Sequence, residues 1–318
     1  MEKLLKCDVK GERIHMTKEA HIVSSTTQSR SASTFFSDIK SLVKGPVLIA
    51  NIFPVFAGFW LALYFSGMTL AQNWGVFLLT MIGSMLLVAG ALVMNNWFDS
   101  DIDTVMERTK SRPTVTGNFA LKTVLNIGLI LSGIGMLLLL FTTFEAAIYA
   151  FIGWFTYVIP YTMWSKRKYT LNTVIGSVSG AVTPAIGWAA IMPADHIVPI
   201  VLVAILFIWQ MPHTFAIAMK KYKDYSAANV AMLPVVYGFA FTKRQMLIYV
   251  LCLLPLPFLL TVFGTTFIMI ATLMNVGYII ASIYGFYAKD DYKWANFMFL
   301  YSVNYMTLLF GMMILWTF

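Results

Sequence analysis

Stretches of about 20 apolar residues recur along this chain, each long enough to cross the hydrocarbon core of a bilayer as a helix. Nine can be placed, at 46–66, 73–97, 122–142, 145–164, 171–192, 197–219, 244–264, 266–288 and 294–316. Only Phe263-Gly264-Thr265-Thr266 parts the seventh from the eighth. The 318 residues would suffice for two soluble domains, but 59% are hydrophobic and 11% charged, which excludes that class. The expected fold is an all-α polytopic membrane protein, with about nine transmembrane helices around a central cavity open to the cytoplasmic side.

Placing the N-terminus in the cytoplasm leaves outer loops near 67–72, 143–144, 193–196 and 265 without a single Lys or Arg. All 22 cations then lie inside, so the net charge of +8 reports orientation and attraction to anionic lipid rather than nucleic-acid binding. Residues 1–45 are polar and basic with no apolar signal-peptide core, and read as a largely disordered cytoplasmic tail ahead of one intramembrane domain, 46–318. Glu2, Asp8, Glu12 and Glu19 count against a mitochondrial presequence, favouring the bacterial cytoplasmic membrane over the mitochondrial inner membrane. Cys7 and Cys252 form no metal or disulfide pattern.

Asn95 to Pro113 gathers four of the fourteen carboxylates at one end of an apolar segment. If the second helix continues through it, Asn95, Asp99, Asp103 and Glu107 recur every four residues and share one broad face, drifting about 40° per step. Hard oxygens on one face suit Mg²⁺. Arg108, Lys110 and Arg112 follow, suited to the oxygens of a metal-bound phosphate or diphosphate.

Further along, the fourth helix ends in Lys166-Arg167-Lys168 on the same side as the carboxylates, Lys168 reading as an interfacial anchor. The fifth segment carries Gly176, Gly180, Pro184 and Gly187, a density that permits close packing or local unwinding. In the sixth, His213, Ile217, Lys220 and Asp224 fall within about 60° of one another with Gln210 at the edge, a polar stripe directed into the bundle. His213 is either a hydrogen-bonded packing residue or a substrate contact. The segment 226–242 is expected to lie over the inner mouth. An even-numbered helix ends at Asp99 and again at Asp224, suggesting two similar halves.

Carboxylates, cations and an apolar cavity together describe a site for a metal-chelated prenyl diphosphate. At these residues the chain resembles the intramembrane prenyltransferases of the UbiA superfamily, whose Asn-x3-Asp-x3-Asp motif is matched by Asn95, Asp99 and Asp103. The closer likeness is to its haem-farnesylating branch, through Met106-x-Arg108-Thr109-x2-Arg112-Pro113, Tyr161-Thr162-x3-Lys166-Arg167, Trp209-Gln210-Met211-Pro212-His213 and Asp224-Tyr225 running to Met232-Leu233-Pro234. That resemblance implies farnesyl diphosphate as donor, haem B as acceptor and substrate rather than cofactor, haem O as product, and a downstream haem A synthase as a candidate partner. It implies that Asn95, Asn96, Asp99 and Asp103 hold Mg²⁺ and that Arg108, Lys110, Arg112, Lys166 and Arg167 grip diphosphate. Asp224 would serve a second metal cluster beside Lys220, Lys221 and Lys223; His213 is a candidate to ligate haem iron or orient a propionate, which the resemblance leaves open. Ala228 stands where many members carry a second Asp, which weakens the alternative of an aromatic quinone-precursor acceptor. A divalent-cation transporter is disfavoured because the carboxylates gather on one side only.

Overall fold

The computed structural model describes residues 32–317, so the tail before Ala32, with Cys7, lies outside the described residues. Among those described, all regular structure is helical. The order is α1 (Ala32–Leu42), α2 (Gly45–Ser66), α3 (Trp74–Phe98), α4 (Leu121–Leu140), α5 (Phe144–Thr156), α6 (Asn172–Ala181), α7 (Thr183–Ala189), α8 (Ile197–Lys220), α9 (Tyr222–Ala227), α10 (Leu233–Leu253), α11 (Gly264–Tyr284) and α12 (Asp291–Leu315). The chain of α5 runs on as a π-helical segment, Tyr157–Ser165. Residues 32–42, inside the expected tail, are therefore helical, and the buried Leu42 packs with Val93 and Val124.

Among the described residues, eight helices are long and apolar enough to cross a membrane, where nine segments were expected. The fifth segment, 171–192, is divided at Val182 into α6 and α7, because Pro184 enters the first turn of a new helix. The seventh is displaced: α10 is helical from Leu233 and ends at Leu253, since Pro255 and Pro257 cannot continue it, and short 3₁₀ turns carry the chain to α11. Part of the expected inner-mouth loop is thus the first turns of α10, kinked at Gly238 (φ 77°).

Lipid tails are as apolar as leucine, so these helices gain most from close contact with one another. A Cβ on Gly187 of α7 would stand 1.9 Å from the Val55 carbonyl oxygen, and one on Gly58 of α2 would stand 2.0 Å from that of Pro184. Backbone thus meets backbone where α2 crosses α7. α3 and α4 approach similarly, a Cβ on Gly90 falling 2.3 Å from Ser132 Oγ. The main core joins α2, α7 and α8 to α10, α11 and α12, with Trp188, Phe267 and Phe310 fully enclosed. A cavity lies between α2, α3, α5, α6, α7 and α8.

Candidate active site

The last turn of α3 fixes the first half of the site. Its apolar face holds the helix in the bundle to Asn95 and Asn96, which are 2% and 1% exposed, and Asp99 caps the helix at 1%. A further helical turn follows, with the Asp103 amide donating to the Asp99 carbonyl at 2.9 Å, so Asp103 returns to the same side at 3% exposure. Thr109 Oγ1 donates to the Asp103 carbonyl at 3.0 Å and steadies the turn. Asn95, Asp99 and Asp103 share the expected face. Glu107 does not: the chain has turned away, and Glu107 pairs at the surface with Lys110 at 2.5 Å.

Each buried carboxylate has a cation. Lys166 Nζ pairs with Asp99 Oδ2, and Arg112 Nη1 lies 2.5 Å from Asp103 Oδ2. Arg167 makes two 2.7 Å bonds to Asp101, donates to the Phe98 carbonyl at 2.8 Å, and stands 3.7 Å from Asp99 Oδ1. Burial opposes protonation of Lys166, but Asp99, helped by Tyr161 and Tyr225, outweighs it and raises the ammonium above its ordinary value. Burial likewise works against the Asp101 carboxylate, yet the Arg167 hydrogen bonds leave it below the usual range.

Sequence reasoning missed Lys44. It stands at the N-cap of α2 in a left-handed conformation (φ 49°, ψ 56°), and its ammonium donates to Asn95 Oδ1. Burial pushes its pKa well below the ordinary lysine value, Arg112 and Lys166 add to this, and Asp99 and Asp103 oppose it. The amide of Asn96 donates to the Leu42 carbonyl at 2.6 Å, tying down the corner that presents Lys44. The one available signal was Lys44-Gly45-Pro46, a cation at a turn before a proline-started helix.

The site borders a cavity of about 220 Å³ lined by Ser84, Trp154, Tyr157, Tyr161, Gln210 and Thr214 among mostly apolar neighbours. Tyr157 and Tyr161 join the two, since both lie within electrostatic reach of Asp99. Gln210 borders this cavity and donates to the Ser177 carbonyl at 3.2 Å.

The remaining expected residues lie elsewhere. Arg108 is exposed, within reach of Tyr161, and Lys110 is turned to the surface with Glu107. His213 hydrogen-bonds Ser302 Oγ of α12 at 2.7 Å and stacks on Trp209 at 4.6 Å. Asp224 is not on the His213 stripe, because α8 ends at Lys220 and the chain breaks at Lys221 before α9. With Lys220, Lys221, Lys223 and Tyr292 it lines a separate cavity of about 290 Å³. The two loops nevertheless adjoin: Met106 packs with Ala218, Val230 and Met232, and Asn172 Nδ2 donates to the carbonyls of Lys166 (3.2 Å) and Ala231 (2.9 Å).

Two buried oxygens in the first loop, Asp99 Oδ1 and Asn96 Oδ1, have no hydrogen-bond partner. Buried acceptors left without donors invite a cation, and hard oxygens suit Mg²⁺. No group of three or more His, Cys, Asp or Glu is placed to hold a metal among the described residues. A cation here would therefore complete its shell from amide oxygens, water and substrate, as Mg²⁺ does.

The model of the UbiA prenyltransferase family matches residues 51–303. The sequence is 53% identical over 293 residues to protoheme IX farnesyltransferase of Oceanobacillus iheyensis, covering 92% of this chain and 93% of that protein. It is 52% identical over 284 residues to the protein of the same name from a Geobacillus species (89% and 92% covered), and 50% identical over 305 residues to that of Bacillus cereus (96% and 99%). Among solved structures, digeranylgeranylglyceryl phosphate synthase superposes with a TM-score of 0.70 at 18% identity, covering 89% of this chain and 98% of that one. A UbiA homologue from Archaeoglobus fulgidus bound to GPP and Mg²⁺ superposes with a TM-score of 0.65 at 12% identity, covering 87% and 99%. At these identities the two structures speak for the fold.

Proposed function

This chain belongs to the UbiA prenyltransferase family and is a membrane prenyltransferase, and from that premise we propose that it transfers the farnesyl group of farnesyl diphosphate to a vinyl group of haem B, giving haem O. The observation that carries the reading is the roughly half identity, along more than nine-tenths of both chains, to proteins named protoheme IX farnesyltransferase. The buried ion cluster against an apolar cavity is the site such a reaction needs. We place the basic end of the bundle in the cytoplasm, on the positive-inside distribution of Lys and Arg.

Asn95, Asp99 and Asp103 are the residues that would hold Mg²⁺. A metal held by them would supply charge neutralisation for the leaving diphosphate. Arg112, Lys166 and Arg167 exchange their carboxylate partners, and Lys44 the amide oxygen of Asn95, for diphosphate oxygens, Arg112 and Arg167 by their planar forks. The allylic C1–O bond breaks with its electron pair leaving on diphosphate, while the walls of the cavity exclude water and the aromatic faces of Tyr157 and Tyr161 stabilise the positive carbon. The vinyl π pair then bonds to C1. The cation left beside the macrocycle takes up water, which loses a proton, and the product carries a hydroxyethylfarnesyl group. Haem O is a fitting substrate for a methyl-oxidising enzyme of the haem A synthase kind.

The test is reconstitution of the purified chain with haem B, farnesyl diphosphate and Mg²⁺, with haems extracted and resolved by mass. Haem O that disappears when the metal is chelated is expected. Prenylation of an aromatic quinone precursor in place of haem would overturn the acceptor, and metal flux into proteoliposomes without prenyl substrate would favour a transporter.

A further inference from the structure

The second cavity has no task in the chemistry above. Its composition is unlike that of the first site. Three lysines, Lys220, Lys221 and Lys223, border it with one carboxylate, Asp224, and among the described residues none of the three pairs with an acidic side chain. The space of about 290 Å³ therefore carries an excess of positive charge. Its surroundings are aromatic: Tyr292 meets Phe239 edge-on at 5.6 Å, Tyr222 meets the same ring at 5.2 Å, and Lys220 Nζ lies 4.8 Å from the Phe299 ring. A flat ring system that bears carboxylates matches both the charge and the aromatic character of such a surface.

Position supports the same reading. α9 reaches both regions: Asp224 borders the cavity, while the next residue, Tyr225, lies within electrostatic reach of Lys166. Propionates and vinyls occupy different edges of haem B. A haem held by its acid edge on one side of α9 would present its vinyl edge toward the other. We propose that Lys220, Lys221 and Lys223 form an acceptor-anchoring subsite that grips the haem propionates and orients a vinyl group toward the Asp99–Asp103 cluster. This rests on haem B being the acceptor, and it separates the lysines from diphosphate binding.

The experiment compares wild type with a Lys221→Gln/Lys223→Gln double variant, full length, in neutral phosphatidylcholine nanodiscs and again in nanodiscs containing anionic phosphatidylglycerol. Haem B and its dimethyl ester are titrated by the Soret shift, and the KM for farnesyl diphosphate is measured alongside. The double variant is expected to bind haem B about tenfold or more weakly, the loss of one or two charge-assisted contacts. It should bind the diester as wild type does, with the KM for farnesyl diphosphate unchanged within about twofold. Lys221→Arg/Lys223→Arg should recover most haem affinity, and retained diphosphate kinetics show that the variants are folded. The subsite is overturned if haem affinity is unchanged, if the diester loses as much as haem B, if the KM for farnesyl diphosphate rises instead, or if a difference arises only with anionic lipid, which would mark a headgroup site. Tight haem binding by wild type with no haem O formed would overturn the acceptor reaction while leaving the anchoring result intact.

Discussion

Two loops follow a similar sequence recipe, an apolar helix running into Asp with cations close by, and fold into opposite electrostatic objects. At Asp99 and Asp103 the carboxylates are nearly inaccessible and each is matched by a cation. At Asp224 the carboxylate is half-buried and the lysines around it are unmatched. The helix that enters each loop makes the difference. The α3 backbone continues through one more turn and carries Asp103 back inside, whereas α8 breaks at Lys221 and leaves Asp224 on a short helix at the rim. A matched cluster is prepared to trade its cations to an incoming polyanion, and an unmatched one to receive an anion directly.

Breaking the matched loop should have the largest effect. Asp99→Ala removes a proposed metal ligand and strands Lys166 in a buried site, so haem O formation should fall by about 10³-fold or more. The thermal midpoint should fall with it, since breaking a buried pair costs about 3–5 kcal/mol. Lys44→Met should raise the KM for farnesyl diphosphate about tenfold, yet it relieves a buried ammonium among Arg112 and Lys166, so the ligand-free protein should melt higher. A variant that melted lower would remove Lys44 from the strained cluster. Arg112→Lys keeps the charge and loses the fork, and about a fivefold drop in kcat/KM is expected. Asp224→Asn should be mildest, about threefold or less and without loss of melting temperature, as for a half-exposed charge. A loss as large as that of Asp99→Ala would collapse the contrast between the loops.

Much of this was legible because it is written locally. Apolar runs announce the spans, and Asn95, Asp99 and Asp103 meet through helical spacing alone. Lys44 was hidden among the N-terminal cations of a positive-inside tail, and it reaches the site only through a left-handed corner fixed by Asn96 on the Leu42 carbonyl. For Asn96 the metal-ligand expectation meets a structural duty in its amide, while its oxygen remains unpartnered. The hydrogen-bond partner of His213, Ser302, lies 89 residues away and leaves no trace in the local sequence. The breaks at Val182 and Lys221 turned a continuous pattern into separate pieces, and periodicity is blind to a break that leaves polarity unchanged.

The backbone contact between α2 and α7 has one further consequence. Lys44 lies fourteen residues from Gly58, about 20 Å along the helix. With the helix pinned at Gly58 and Gly187, α2 acts as a lever with a fixed fulcrum and a charged tip. A single methyl at Gly187, far from any reacting atom, would meet the Val55 carbonyl and force a shift against α2, the helix whose N-cap is Lys44. The reach of one active-site cation is thus calibrated deep in the membrane, at a position that carries no side chain at all.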